Sequence, residues 1–171
     1  MEYQYTIGSY NLHIIPFLSD TSPEELVGLL RDLVGDRFTL LDGTRPYTMR
    51  QLLLAYIMAK RAFARRRNIS KSLGIEILLY LSGTRQIRDA IRTLGYKGKM
   101  GILVLWDIDD PKEVLNALRN VIKVKGAFIK SPSIESLLSA GYPENVARRY
   151  HKLGADELLM IEVISLLEAE E

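Results

Sequence analysis

None of the 171 residues is cysteine. That excludes a disulfide framework, thiol catalysis, and zinc or iron–sulfur sites held by thiolates. A reducing compartment, or a hot one, fits. There are only two histidines, His13 and His151, far apart in sequence, so a histidine-rich metal site is excluded as well. No apolar run approaches the roughly 20 residues that span a bilayer. The start, Met1-Glu2-Tyr3-Gln4-Tyr5, has no basic region leading into an apolar segment, so no signal peptide is expected. Together these absences predict a soluble, cytoplasmic protein with no membrane anchor, no metal and no cofactor.

Hydrophobic residues make up 47% and charged residues 26%, a globular balance. The length predicts one domain over residues 1–171, able to bury roughly 70% of its unfolded surface. The net charge of +2 hides a strong segregation. From Arg45 to Lys99 there are thirteen basic residues and two acids, Glu76 and Asp89; the rest of the chain has ten basic residues against nineteen acidic. A segment this positive repels itself unless a polyanion or an acidic partner relieves it.

Two short β-prone runs, Tyr3 to Ile7 and Leu12 to Phe17, flank Gly8-Ser9-Tyr10-Asn11 and predict a hairpin. Ser22-Pro23-Glu24-Glu25 starts a helix, with Leu26, Leu29, Leu30 and Leu33 at helical spacing and an end near Gly35. Phe38 to Leu41 reads as a strand. Thr48 and Gln51 form a capping box opening a helix to about Arg66. The next helix, Lys71 to Leu81, is almost wholly apolar from Ile75. Thr84 caps a fourth, reaching Leu94, with Ile87, Ala90, Ile91 and Leu94 inward, Arg85, Arg88 and Arg92 as an outer stripe, and Gly95 as C-cap. Met100 to Trp106 is an apolar strand buried on both faces. A helix over Lys112 to Asn120 follows, then a strand or frayed end at Val121 to Val124. Three helices close the chain: Ser133 to Ala140, Pro143 to Lys152 and Ala155 to Glu168. The fold class is α+β: a small mixed β-sheet covered by several helices in a single domain.

No catalytic constellation stands out. Asp107, Asp109 and Asp110 invite a metal reading, but capping and dipole roles before Pro111 explain them better. Tyr96-Lys97-Gly98-Lys99-Met100-Gly101 has the glycine and lysine of a phosphate loop without its spacing, and a strand follows where a helix is needed. No serine sits in a G-x-S-x-G elbow. The basic run is the strong signal. Lys60, Arg61, Arg65, Arg66, Arg67 and Lys71 fall within twelve residues with no acid between them. Arginine's planar fork suits phosphates and base stacking. Ser70 and Ser72 stand at a helix start, where free amides accept an anion. The second signal is Leu158 to Leu167, where only Glu162 and Ser165 are polar; one core-facing stripe needs fewer apolar positions. Such a helix packs between other helices or turns one side to a partner.

Arg67-Asn68-Ile69-Ser70, Glu76-Ile77-Leu78-Leu79-Tyr80-Leu81-Ser82-Gly83 and Arg85-Gln86-Ile87 with Ala90-Ile91 and Gly95 closely resemble the archaeal Cgi-type, kinase-binding regulatory subunit of the KEOPS complex. The closing helix matches it too, and the similarity spans nearly the whole chain. The resemblance implies a protein that is not an enzyme. It implies binding to the small atypical kinase/ATPase of KEOPS and to the single-stranded 3′ CCA end of tRNA, in support of threonylcarbamoyladenosine modification. The tRNA site is expected at Lys60, Arg61, Arg65, Arg66, Arg67, Asn68, Ser70, Lys71, Ser72, Arg85 and Arg88. The kinase is expected at Leu158, Ile161, Ile164 and Leu167. Two other classes fit the same features: a small α/β enzyme acting on phosphorylated substrates through the Lys97 loop, and a generic nucleic-acid-binding regulator. The acidic end Glu168-Ala169-Glu170-Glu171 carries no assigned role.

Overall fold

In the computed structural model, residues 3–7, 10–125, 133–139, 141–154 and 156–169 are described. Gly8 and Ser9 of the expected turn, Ala140 and Ala155 at expected helix ends, and Glu170 and Glu171 lie outside the described residues. The chain runs β1 (Tyr3–Ile7), β2 (Tyr10–Ser19), α1 (Pro23–Val34), β3 (Phe38–Asp42), α2 (Met49–Ala64), α3 (Leu73–Ser82), α4 (Ile87–Leu94), β4 (Lys99–Trp106), α5 (Lys112–Ala117), β5 (Lys123–Val124), α6 (Ile134–Ser139), α7 (Glu144–Lys152) and α8 (Asp156–Ala169). The class is α+β, as expected. Its residues pack as two compact units. The first comprises Met1–Thr44, Ser72–Gly74 and Gly95–Phe128; the second comprises Arg45–Lys71, Ile75–Leu94 and Ile129–Glu171.

The first unit is built on the sheet β1-β2-β4-β3, with β5 also paired to β2. All of these pairings are antiparallel, where mixed directions were expected. Strand direction depends on where the intervening helices return the chain, which no local pattern encodes. β2 takes β4 along its full eight-residue register, Leu12↔Trp106 to Ser19↔Lys99. Its other side is shared by β1 as far as Ile14 and by β5 from Phe17. Pro16 falls in the gap between them. Its carbonyl accepts the Lys125 amide at 2.9 Å, so its missing donor faces that side and the β2–β4 ladder is intact. α1 starts where expected, with Ser22 Oγ accepting the Glu25 amide and Pro23 in the first turn. Its Leu26, Leu30 and Val34 pack with Ile15, Phe17, Leu103 and Leu105 of the sheet and with Val114 and Leu118 around α5. The Phe17 and Tyr96 rings lie 5.3 Å apart, close over Gly101, where an added Cβ would stand 2.3 Å from Phe17.

The second unit is helical. Thr48 Oγ1 accepts the Gln51 amide at 3.1 Å, as the capping box requires. The Gln51 side chain does not complete the box. Its Nε2 reaches the Met160 carbonyl on α8 at 3.5 Å, and its buried Oε1 has no hydrogen-bond partner among the described residues. α2 packs along α8, and α8 along α7; Leu137 of α6, Ala147 of α7 and Leu159 and Met160 of α8 form a common core. α3 buries Ile77, Leu78, Leu79, Tyr80 and Leu81. Gly83, at φ +64°, lies so close to Val163 that an added Cβ would stand 2.6 Å from it. α4 begins at Ile87, later than expected, because the Thr84 hydroxyl accepts the amide only two residues on, at Gln86, in a turn. Ala90 and Leu94 face inward as read, but Ile87 and Ile91 are 39% and 44% exposed. Gly95 pairs with Leu41 in a β-bridge and is no simple helix cap.

Candidate functional site

α2 ends in a Schellman motif built from arginines. The Arg67 amide reaches the Ala62 carbonyl at 2.9 Å and the Arg66 amide reaches Phe63 at 3.1 Å. Arg66 takes the left-handed position, φ +58°, that glycine ordinarily occupies. Arg61, Arg65, Arg66, Arg67 and Lys71 are exposed, and Lys60 lies half-buried with Nζ 5.8 Å from the Tyr56 ring centre. Among the described residues, no carboxylate pairs with Arg61, Arg65, Arg66 or Lys71. The negative end of the α2 dipole favours these cations, but it does not explain one in a strained backbone conformation.

That strain gives a test. Arg66→Gly should raise stability by about 1 kcal/mol, about 2–4 °C in melting temperature for a chain of this size. If the charge serves a polyanion, affinity for RNA should fall at the same time. Thermal denaturation and a binding titration on the same sample read both quantities. A more stable variant with unchanged RNA affinity would remove Arg66 from the site.

The loop after α2 is held by Glu76. Its carboxylate accepts the Ile69 amide at 3.1 and 3.2 Å and the Ser70 amide at 2.8 Å. The Glu76 residue is 1% exposed. This corrects the expectation that the Ser70 amide is free for an anion: an internal carboxylate already occupies that place. Ser70 itself is buried, which removes its side chain from the expected contact surface. Asn68, half-buried, turns its Nδ2 to the Ser70 carbonyl at 2.9 Å and shapes the loop. Ser72 is half-buried and belongs to the first unit. Arg85 lies ahead of α4 and Arg88 on it, both exposed, while Arg92 is pinned to Asp89 at 2.9 Å. Glu76 is the residue that sequence reasoning missed. Its signal was a lone acid in the first turn of an otherwise apolar helix.

α8 resolves into two sides. Leu159, Met160 and Ile164 are buried; Glu162 and Ser165 are exposed, and Leu158 is 50% exposed. Ile161 is half-buried, and the side chain of Leu167 lies outside the described residues. Ile164, 1% exposed, is a core residue, which corrects its assignment to a partner surface. The wide apolar circumference has a plain cause: α8 serves two neighbours, α2 and α7. A crevice of 260 Å³ in this unit, lined by Gln51, Ser82, Tyr142 and Val163 among others, lies toward the start of α2. That is about 21 Å along the helix from Arg65. Burial there pushes the Tyr142 hydroxyl up to about 12.

Lys97, the lysine of the glycine–lysine loop, pairs with the mostly buried Asp42 at 3.5 Å, so it is engaged in holding β3 to the β4 turn. His13 is buried with Nε2 2.8 Å from the Ile108 carbonyl. Among the described residues, no group of three metal-ligating side chains comes together. No described helix is long and apolar enough to cross a membrane.

The profile of the family described as "Kinase binding protein CGI-121" matches residues 30–168, and the chain belongs to that family. A relative from Pyrococcus abyssi (strain GE5 / Orsay), the "KEOPS complex subunit Cgi121", is 36% identical over 61 residues. That match covers 36% of this chain and 36% of the relative, so the chain spans about a third of the length of the curated relative it matches.

Proposed function

We propose that the chain is a non-catalytic regulatory subunit of a KEOPS complex, binding the complex's atypical kinase and the single-stranded 3′ CCA end of tRNA in support of threonylcarbamoyladenosine modification. Membership of a kinase-binding family and the similarity to a KEOPS subunit support the first partner. One observation carries the second: Arg61, Arg65, Arg66 and Lys71 at the end of α2 are exposed and in no ion pair among the described residues, beside a loop whose nearby acid is turned inside. A phosphate backbone approaching Arg61, Arg65, Arg66 and Lys71 meets no carboxylate already paired with them among the described residues. Arg85 and Arg88 extend the same charge along the chain.

The reading predicts steep salt dependence. With roughly six cations on the phosphates of a single strand, log affinity for tRNA should fall with log salt at a slope near −4. Replacing Arg65, Arg66 and Lys71 together by alanine should flatten that slope by about 2. The melting temperature should hardly change, because exposed charges contribute little to stability. A parent slope close to zero sinks the RNA reading. A tRNA lacking its terminal CCA should bind more weakly, since only splayed single-stranded bases can be read by arginine planes and backbone groups. Equal binding of the truncated RNA would move the site to another part of the tRNA.

A further inference from the structure

The first unit holds a second cationic groove. It has a volume of 470 Å³ and is lined by Ser19, Asp20, Lys99, Arg119, Asn120 and Lys123, among others. Its floor is fixed. Ser19 Oγ donates to the Val121 carbonyl at 2.7 Å and accepts the Thr21 amide at 3.1 Å, while the Ser19 carbonyl accepts the Tyr96 hydroxyl at 3.2 Å. These bonds tie the end of β2 to the segment between α5 and β5 and to the turn before β4. The strand register sets Lys99 opposite Ser19 and Lys123 opposite Leu18, on the two flanks of β2; Ser19 and Leu18 alternate in face, so it is the shared lining of the groove, not the pairing alone, that brings the two lysines together. Two strand spacings set their backbones roughly 10 Å apart. Lys99, Arg119 and Lys123 are exposed, and none is in an ion pair among the described residues.

Lys99 is also strained. The Met100 amide closes on the Gly98 carbonyl at 3.0 Å, a γ-turn with Lys99 at its centre and φ +66°. The positive-φ form of this turn is the rare, strained one. Glycine already stands next door at Gly98, so the chain bends here without needing lysine at the costly position. Asp20 is the one acid among the described residues that line the groove, leaving an excess of two positive charges there.

We infer that this groove binds phosphate groups, with Lys99 held in its strained turn to face them and Arg119 and Lys123 completing the clamp. The phosphates come from the backbone of a bound RNA or from a small phosphorylated ligand. Only the first source rests on the RNA reading above. With RNA as the source, the groove is a second, sequence-independent contact.

Lys99→Gly separates strain from function, because it relaxes the turn and deletes the charge at once. The full-length variant should melt a few degrees higher than the parent. With RNA in the groove as well, about nine cations bring the parent slope to about −6; in Lys99→Gly tRNA affinity should fall and the slope should be shallower by about 0.7, and adding Arg119→Ala and Lys123→Ala should return it to about −4. In parallel, amide resonances of Lys99, Met100 and Asn120 should shift saturably on titration with pyrophosphate in the parent and not in Lys99→Gly. If the groove variants keep the full slope while the α2 variants lose theirs, RNA does not reach the groove; the pyrophosphate titration then decides for a small ligand. If pyrophosphate also leaves those resonances unmoved, the inference is overturned and the RNA reading stands. If the parent shows no salt slope at all, the RNA reading fails, and a saturable pyrophosphate shift still upholds the groove.

Discussion

Ile164→Asp should unfold the helical unit or nearly so, with a loss of about 4 kcal/mol or more. Two terms add. The buried isoleucine gives up its packing, and a carboxylate enters an apolar site with no described partner. Against a total stability of about 5–15 kcal/mol, that is a large share. Urea unfolding checks it. Leu158→Asp, on the exposed side of the same helix, should change stability by no more than about 0.5 kcal/mol. The pair therefore reads the two sides of α8 independently. If the kinase docks on that exposed side, Leu158→Asp should weaken its binding by roughly tenfold or more while the subunit melts like the parent. Kinase binding as tight as the parent's would show that this side of α8 is not the interface. The exposed Ile87 and Ile91 of α4 would then be the next apolar surface to test.

Glu76→Ala should cost about 2–4 kcal/mol, because it leaves the Ile69 and Ser70 amides without their acceptor. Removing a buried charge returns some desolvation energy, which keeps the loss below that of a broken buried ion pair. Glu76→Gln retains one acceptor oxygen and should lose about half as much. The second readout is the loop itself. Hydrogen exchange at Ile69 and Ser70 should accelerate in Glu76→Ala, and RNA affinity should fall although no cation was touched. Unchanged exchange at both amides would mean that the carboxylate does not hold the loop in solution.

Much of the molecule was legible from short-range chemistry. Ser22 with Pro23 starts α1, and Thr48 starts α2, because a hydroxyl meeting an amide three residues on needs no information from elsewhere. The run Leu12 to Phe17 belongs to a strand for an equally local reason, its β-prone residues bounded by turn residues. The arginine cluster at the end of α2 could also be read directly, since charges that crowd along twelve residues crowd in space once the helix forms. The strain at Arg66 and Lys99 was not legible. Both sit in turns whose hydrogen bonds, Arg67 to Ala62 and Met100 to Gly98, appear only when the chain is traced.

The sequence by itself determined where α1 and α2 begin, which residues are apolar enough to be buried, and where positive charge accumulates; each follows from neighbours a few residues apart. Tertiary structure decided the rest. It set every strand antiparallel, because direction depends on how α1 through α4 return the chain. It put Ile164 inside and Leu158 outside, because a helix apolar nearly all round does not say which neighbours it has. It left Ile87 and Ile91 bare on α4 for the converse reason: helical spacing fixes which residues share a face, not whether that face meets anything. And it turned Glu76 inward onto two amides. In sequence that carboxylate was one of two acids diluting a basic segment; in the fold it is removed from the surface, and the cations beside it are left to face solvent or a polyanion.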